Sequence, residues 1–205
     1  MGVQGGPERC YSVRNESPLM LRYLAILLGA TLFLVSPSAP TTAQQTDFDA
    51  IYKRFVDELY RAGNYLAALV EAQRFEAAVK ARFGTNHTNY AAALHNLGLV
   101  YEAQGRYAEA EARHKRALAI YEEKLGKDHP LVAGTLNNLV GVYLSQGKYA
   151  DAEGLYKRSL AIREEKLGRD HPDVVQTLSN LGILYRNQGK YAEAEAHYKR
   201  APGDL

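Results

Sequence analysis

Three of the six histidines recur at a fixed interval, and histidine is a common metal ligand and general base. His87, His129 and His171 lie 42 residues apart. A zinc–nitrogen bond is about 2.0–2.1 Å long, whereas packed helices lie about 8–10 Å apart, so equivalent histidines of successive units cannot reach one ion. His95 and His114 have no cysteine or second histidine at helical spacing. The sequence therefore predicts no metal site, and the periodic histidines are interpreted as helix-boundary residues.

Acidic pairs are the other residues that could carry chemistry. Glu122 is adjacent to Glu123, and Glu164 to Glu165, but adjacent residues of a helix diverge and do not share a site. The sequence has no nucleophile motif, glycine-rich phosphate loop or dinucleotide fingerprint. The formal net charge is only +2, without a long basic run, which disfavours nucleic-acid binding. The sequence thus predicts a protein that is not an enzyme and has no cofactor.

The residues named above lie in an internal sequence repeat. Residues 87–128 and 129–170 are identical at 24 of 42 aligned positions. The sequence predicts two helices in each unit. In the first unit, Leu94, Leu97 and Tyr101 have the spacing of one face of the first helix. Glycine readily takes the left-handed conformation that ends a helix. The predicted boundaries are Gly105 and Tyr107 inside the first unit, and Gly126 and Pro130 between the first and second units.

Neither helix of a unit can bury its apolar face alone, so the units are expected to stack. Small residues mark the predicted points of close approach between helices: Gly98, Ala110 and Ala117.

The repeated pattern resembles the tetratricopeptide repeat. It consists of Leu94-x2-Leu97-Gly98-x2-Tyr101, followed by Ala110 four residues before position 114, and it recurs in the next two units. The long period and the Asp-His-Pro joints are similar to kinesin-light-chain-type repeats. The resemblance implies an all-α fold, a right-handed superhelical solenoid of antiparallel helix pairs. There are two departures. Val140 replaces the small glycine, which implies a wider helix pair, and His114 replaces an aromatic ring and is expected to be partly buried.

The predicted organisation begins with a signal peptide over residues 1–43. Arg22 precedes a 13-residue apolar run and small residues end the segment, whereas a membrane-spanning helix needs about 20 residues. Cleavage is expected after Ala43, Met20 is the expected start of translation, and an uncleaved membrane anchor is the alternative. The protein is thus expected to be exported, periplasmic or secreted, and free of the membrane after cleavage. The remaining segments are a degenerate capping repeat over 44–86, full repeats over 87–128 and 129–170, and a truncated third repeat over 171–205.

The resemblance also implies a binding groove lined by the first helix of each unit. Carried over by position, the predicted groove residues are His95, Leu99, Glu102, Asn137, Gly141, Leu144, Ser179, Ile183 and Arg186. These residues change from unit to unit, which fits a surface that recognises one particular partner and equally fits surface drift. A second set is constant, namely Asn96, Asn138 and Asn180. These asparagines either bind a peptide backbone or tie one helix to the adjacent turn, and the structural role is favoured.

The sequence therefore predicts a scaffold that binds a peptide or protein segment of unknown identity in the concave groove. Two alternatives stay open. The chain could be the truncated regulatory or substrate-recruiting arm of a larger protein with a caspase-like protease domain, because the third unit stops about eight residues early. It could also be a structural module that self-associates through its uncapped third repeat.

Overall fold

The computed structural model describes Ile51, Arg54 and residues 60–201. The regular elements of this part of the chain are helices, and no strand occurs within it. Their bounds are α1 Tyr65–Phe83, α2 Thr88–Ala103, α3 Tyr107–Leu125, α4 Pro130–Ser145, α5 Tyr149–Leu167, α6 Pro172–Asn187 and α7 Tyr191–Arg200. The predicted signal peptide lies outside the described residues, and the division of the chain into repeats stays a prediction. Within the part of the chain that the structure describes, none of the helices has the length and hydrophobicity of a membrane-spanning segment.

A glycine with positive φ lies after each of the helices α1 to α6, and another lies just before α1. These glycines recur every 21 residues, at Gly63, Gly84, Gly105, Gly126, Gly147, Gly168 and Gly189. Gly105, with φ of 73°, shows their role, because its N–H and that of Arg106 donate to the carbonyls of Glu102 and Tyr101 at 2.9 and 2.8 Å. This pair of bonds is the Schellman motif, which satisfies the last carbonyls of a helix.

The three periodic histidines begin the first helices, as predicted. His87, His129 and His171 are the N-cap residues of α2, α4 and α6. In each, Nδ1 accepts a hydrogen bond from the backbone N–H two residues later, at 3.1–3.2 Å. The cap satisfies one of the N–H groups that have no partner within the helix. These histidines therefore act locally, at three separate helix ends.

Consecutive helices pack against each other along the chain, and α2 also contacts α4. The core consists of leucines and small residues on the inward faces. Leu94, Leu136 and Leu178, which are equivalent in the three repeats, are each at most 1% exposed. A continuous buried cluster spans the second and third repeats. The prediction of an all-α solenoid of antiparallel helix pairs is confirmed.

The close approach predicted at Gly98 is present. A Cβ atom at Gly98 would overlap the ring of His114, and one at Gly182 would lie 2.5 Å from Cε1 of Tyr198. In both pairs the ring of the second helix therefore sits directly on the backbone of the first. Val140 occupies the same position in the second repeat and is fully buried; the wider spacing expected of that pair stays a prediction.

Replacing Gly98 by alanine should destabilise the protein by about 1–3 kcal/mol, because the added methyl group forces the buried His114 ring to move. Gly154→Ala is the matched control, since Gly154 lies on an exposed helix surface with nothing within 4 Å of an added Cβ. It should stabilise the protein by about 0.5–1 kcal/mol. Urea unfolding followed by circular dichroism compares the two. Equal effects would show that the close contact at Gly98 is absent.

Candidate functional site

The predicted groove residues of α2 point largely toward the next first helix. Nδ1 of His95 lies 3.0 Å from Nδ2 of Asn138 in α4. A Cβ atom at Gly141 would lie 2.9 Å from a carboxylate oxygen of Glu102. His95, Leu99 and Glu102 are all half-buried. Two of these three residues thus contribute to the packing of α2 on α4, and Leu99 lies between them on the helix.

Asn137 occupies the position of His95 in the second repeat, and its amide is already engaged. In the orientation that satisfies both of its polar atoms, Asn137 donates to Oγ of Ser159 at 2.9 Å and accepts from Arg163 at 2.8 Å. Arg163 is only 6% exposed, and it also donates to Oγ1 of Thr177 at 2.8 Å and to the carbonyl of Asp173 at 3.0 Å. Burial lowers the pKa of Arg163. Asn137 is therefore part of a polar network that joins α4, α5 and α6.

Leu144 requires a correction. The resemblance placed it in the groove, but it is 8% exposed and belongs to the buried cluster of the second and third repeats. Leu144 occupies the same repeat position as Glu102 and Arg186. In the second repeat, the following helix pair covers this position. Leu144 is thus a packing residue.

The third repeat leaves more of the predicted groove open. Ser179 and Ile183 are half-buried, and Arg186 is exposed. Gly141 and Leu99, the equivalents of Ile183 in the other repeats, are also half-buried. Leu99, Gly141 and Ile183 therefore form a partly exposed line along the first helices of the three repeats.

The constant asparagines have three different environments. Asn138 contacts His95 of the preceding repeat, as described above. Oδ1 of Asn180 accepts from Nε2 of Gln176 on its own helix at 3.1 Å. Asn96 is 3% exposed, and its Nδ2 has no hydrogen-bond partner within the described residues. Asn138 thus contacts the preceding repeat and Asn180 its own helix, and the tie to an adjacent turn that the structural interpretation expected stays a prediction.

The sequence missed a contact between two histidines. The rings of His95 and His114 lie 5.4 Å apart, tilted by 59°. His114 was expected to be partly buried, but it is fully buried, and neither ring nitrogen has a hydrogen-bond partner within the described residues. Burial lowers the pKa of His95 to about 4 and that of His114 to about 3. The contact could have been predicted, because residue 114 must pack against Gly98. Residue 95 lies one helical turn before Gly98 and is therefore close to residue 114.

The pair does not extend to a metal centre within residues 60–201. No group of three or more His, Cys, Asp or Glu side chains that could hold a metal ion occurs among the described residues.

The repeat detected in the sequence corresponds to a known family. A family model for the tetratricopeptide repeat matches residues 58–123, 91–165 and 131–201. The chain belongs to the tetratricopeptide repeat family. Members of this family typically mediate protein–protein interactions and are generally non-catalytic scaffolds.

Two solved structures show the kinesin-light-chain type of this tetratricopeptide fold. The crystal structure of BtubC (BKLC) from P. vanneervenii has 24% sequence identity and a TM-score of 0.68, covering 89% of this chain and 72% of that chain. The repeats of a putative kinesin light chain from Podosopora anserina have 20% identity and a TM-score of 0.66, covering 78% and 73%. Comparison with curated protein sequences gives no significant match. The predicted resemblance is thereby confirmed for the fold.

The buried His114 should make the stability of this tetratricopeptide array depend on pH. Its folded-state pKa lies below the ordinary value of 6.5, so between these values the unfolded chain binds a proton that the folded chain does not. Stability is therefore lost as pH falls, by roughly 2 kcal/mol for His114 between pH 6.5 and 5. His114→Phe should reduce the loss by this amount in urea unfolding at both pH values.

Tyr156→Phe is the control for this measurement, because Tyr156 is the equivalent ring of the second repeat and the change removes no histidine. It should leave the pH dependence as in the unaltered chain. If His114→Phe also left it unaltered, His114 would not be held neutral in the folded protein.

Proposed function

We propose that this chain is a non-catalytic scaffold that binds a peptide or protein segment along its first helices, α2, α4 and α6. The observation that carries the proposal is the partly exposed line of Leu99, Gly141 and Ile183, whose side chains differ in size from repeat to repeat. Membership of a family that typically mediates protein–protein interactions supports it. The ligand would be an extended or helical peptide, as grooves of this kind accept.

The open residues of the third repeat indicate what such a peptide meets. Ile183 offers an aliphatic contact, Ser179 a hydroxyl group and Arg186 an exposed positive charge. The carboxylate of Glu102 occupies the space beside Gly141, where an added Cβ atom would lie 2.9 Å from one of its oxygens. The proposed ligand therefore places an apolar side chain on Ile183 and a polar or negatively charged group near Arg186. His95, Asn137 and Leu144 are left out of this surface, because their side chains are engaged in packing.

Ile183→Glu should weaken peptide binding at least about tenfold, because it places a charge where an apolar contact worth about 1.5–3 kcal/mol is expected. The probe is a set of peptides selected on the chain from a random library displayed on phage, and affinity is measured by fluorescence anisotropy. Ala161→Glu adds the same charge at an exposed position of α5, in the layer of second helices, and should leave affinity unaltered. If Ala161→Glu abolished binding and Ile183→Glu did not, the peptide would bind to the second helices instead.

We also propose that the protein is exported and that its mature form begins at Gln44, free of the membrane. Residues 22–43 support this, because they begin with a positively charged residue, continue with a short apolar run and end with small residues. Expression of residues 20–205 in a bacterial host should release a protein whose intact mass corresponds to residues 44–205. An uncut product that sediments with membranes would instead support an anchor.

A further inference from the structure

Ion pairs join the successive second helices α3, α5 and α7. Nη1 of Arg158 on α5 lies 2.6 Å from a carboxylate oxygen of Glu122 on α3, and Arg200 on α7 pairs with Glu164 on α5 in the same way. Nη2 of Arg158 also donates to the backbone carbonyl of Lys127, in the turn after α3, at 3.2 Å. A carboxylate and a turn carbonyl of one second helix thus hold the guanidinium group of the next.

The junction between α1 and α3 has the guanidinium group without the carboxylate. Arg116 of α3 is equivalent to Arg158, and its Nη2 donates to the carbonyl of Thr85, in the turn after α1, at 3.4 Å. Because this bond is the equivalent of the one made by Arg158, the guanidinium group occupies the same place in the repeat. Lys80 stands at the position of Glu122. This junction therefore has two cations where the next two have one cation and one carboxylate.

Two carboxylates lie near Arg116, and both are bound to other groups. Glu76 of α1 accepts a hydrogen bond from the hydroxyl of Tyr90; burial, followed by this bond, raises the pKa of Tyr90 to about 12, while Arg116 acts in the opposite direction. Glu123 of α3 accepts from Lys124 at 2.9 Å, and this bond lowers the pKa of Glu123. Within the described part of the chain, neither carboxylate replaces the one that the junction lacks.

The exposed face of α1 also differs from the same face of α3 and α5. Leu66 and Val70 are 79% and 49% exposed, at positions where α3 and α5 have exposed alanine or glycine. Ala81 replaces a glutamate that is exposed in those helices, and neither of the two glutamates of α1 is exposed. Lys80 lies on this face too, because it follows Leu66 by almost four helical turns. The face is open in α3 and α5 as well, so its exposure does not depend on the place of α1 in the array.

We propose that this face of α1, together with Arg116, is a docking surface for an acidic, amphipathic segment of a polypeptide. Apolar side chains of the segment pack on Leu66 and Val70, and one of its carboxylates binds Lys80 and Arg116. Val70 and Lys80 are ten positions apart (80−70), or about 15 Å along a helix. A helical segment along α1 would therefore carry its acid about ten residues from its apolar side chains.

The chemistry of the junction favours an acidic side chain over the phosphate of a lipid or nucleic acid. A single carboxylate is the group that Arg158 and Arg200 bind in the equivalent places, and a polypeptide supplies carboxylates and apolar side chains in one segment. The surface is formed by second helices, so it is separate from the line along the first helices proposed above. Either site can fail its test while the other passes.

The placement of Arg116 can be tested without a ligand. Lys80→Glu should raise Tm by roughly 1–3 °C, because it restores the ion pair that Glu122 makes with Arg158 in the next junction. Adding Arg116→Gln to the same chain should abolish the gain. Lys166→Glu makes the same charge change at an exposed position of α5 and should not raise Tm. The proposal is overturned if Lys80→Glu raises Tm no more than Lys166→Glu does.

The partner chemistry is tested with peptides from a random library displayed on phage. Peptides are selected on the chain, and those that also bind the Lys80→Glu variant are removed. The remaining peptides should be rich in aspartate or glutamate and contain apolar residues. Leu66→Ser should weaken their binding at least about tenfold in fluorescence anisotropy. Ala150→Ser, at the equivalent exposed position of α5, and Ile183→Glu in the first-helix line should both leave it unaltered.

Three outcomes would overturn the proposal. No peptide is left after removal of those that bind Lys80→Glu, or the remaining peptides are not acidic. Alternatively, vesicles of phosphatidylglycerol bind the chain and Lys80→Glu abolishes that binding, which would make a lipid surface the ligand of this face.

Discussion

The contact on which the rest of the structure depends is the ring of the second helix resting on a glycine of the first helix, which occurs in the first and third repeats. His114 on Gly98 and Tyr198 on Gly182 leave no room for a Cβ atom, so the distance between the two helices is set by backbone and ring alone. Because interiors are close-packed, that distance fixes where the apolar faces lie. It also fixes which residues of the first helix remain for the next pair to cover.

The inter-repeat contacts are less uniform than the pairs themselves. Tyr121 of the first repeat and Arg163 of the second occupy the same position, and both are buried. Burying an arginine is costly unless its donors are satisfied, and Asn137, Thr177 and the carbonyl of Asp173 supply acceptors. The repeat therefore tolerates either an aromatic or a polar interior at one place, provided that the neighbouring residues change together.

The sequence predicted what local rules determine. Helix starts at the capping histidines and turns at glycines such as Gly105 depend on a few adjacent residues, and repetition at 42 residues made them unambiguous. The environments of His114 and Leu144 could not be predicted in the same way. Their burial depends on which neighbouring helix covers a given face, and a small rotation of the helix moves a residue from the groove into the interface. The position of a residue on a stripe does not specify that rotation.

This distinction changes the meaning of variation within the repeat. His95 and Asn137 differ, but each matches a partner that differs too: His95 contacts His114, while Asn137 contacts Ser159 and Arg163. Variation at this position therefore records compensated packing and is poor evidence of ligand selectivity. Leu99, Gly141 and Ile183 vary at a position that stays partly exposed in every repeat. Recognition of a partner is thus best sought there, because a change at this position can alter the surface while the ring contacts within each helix pair stay as they are.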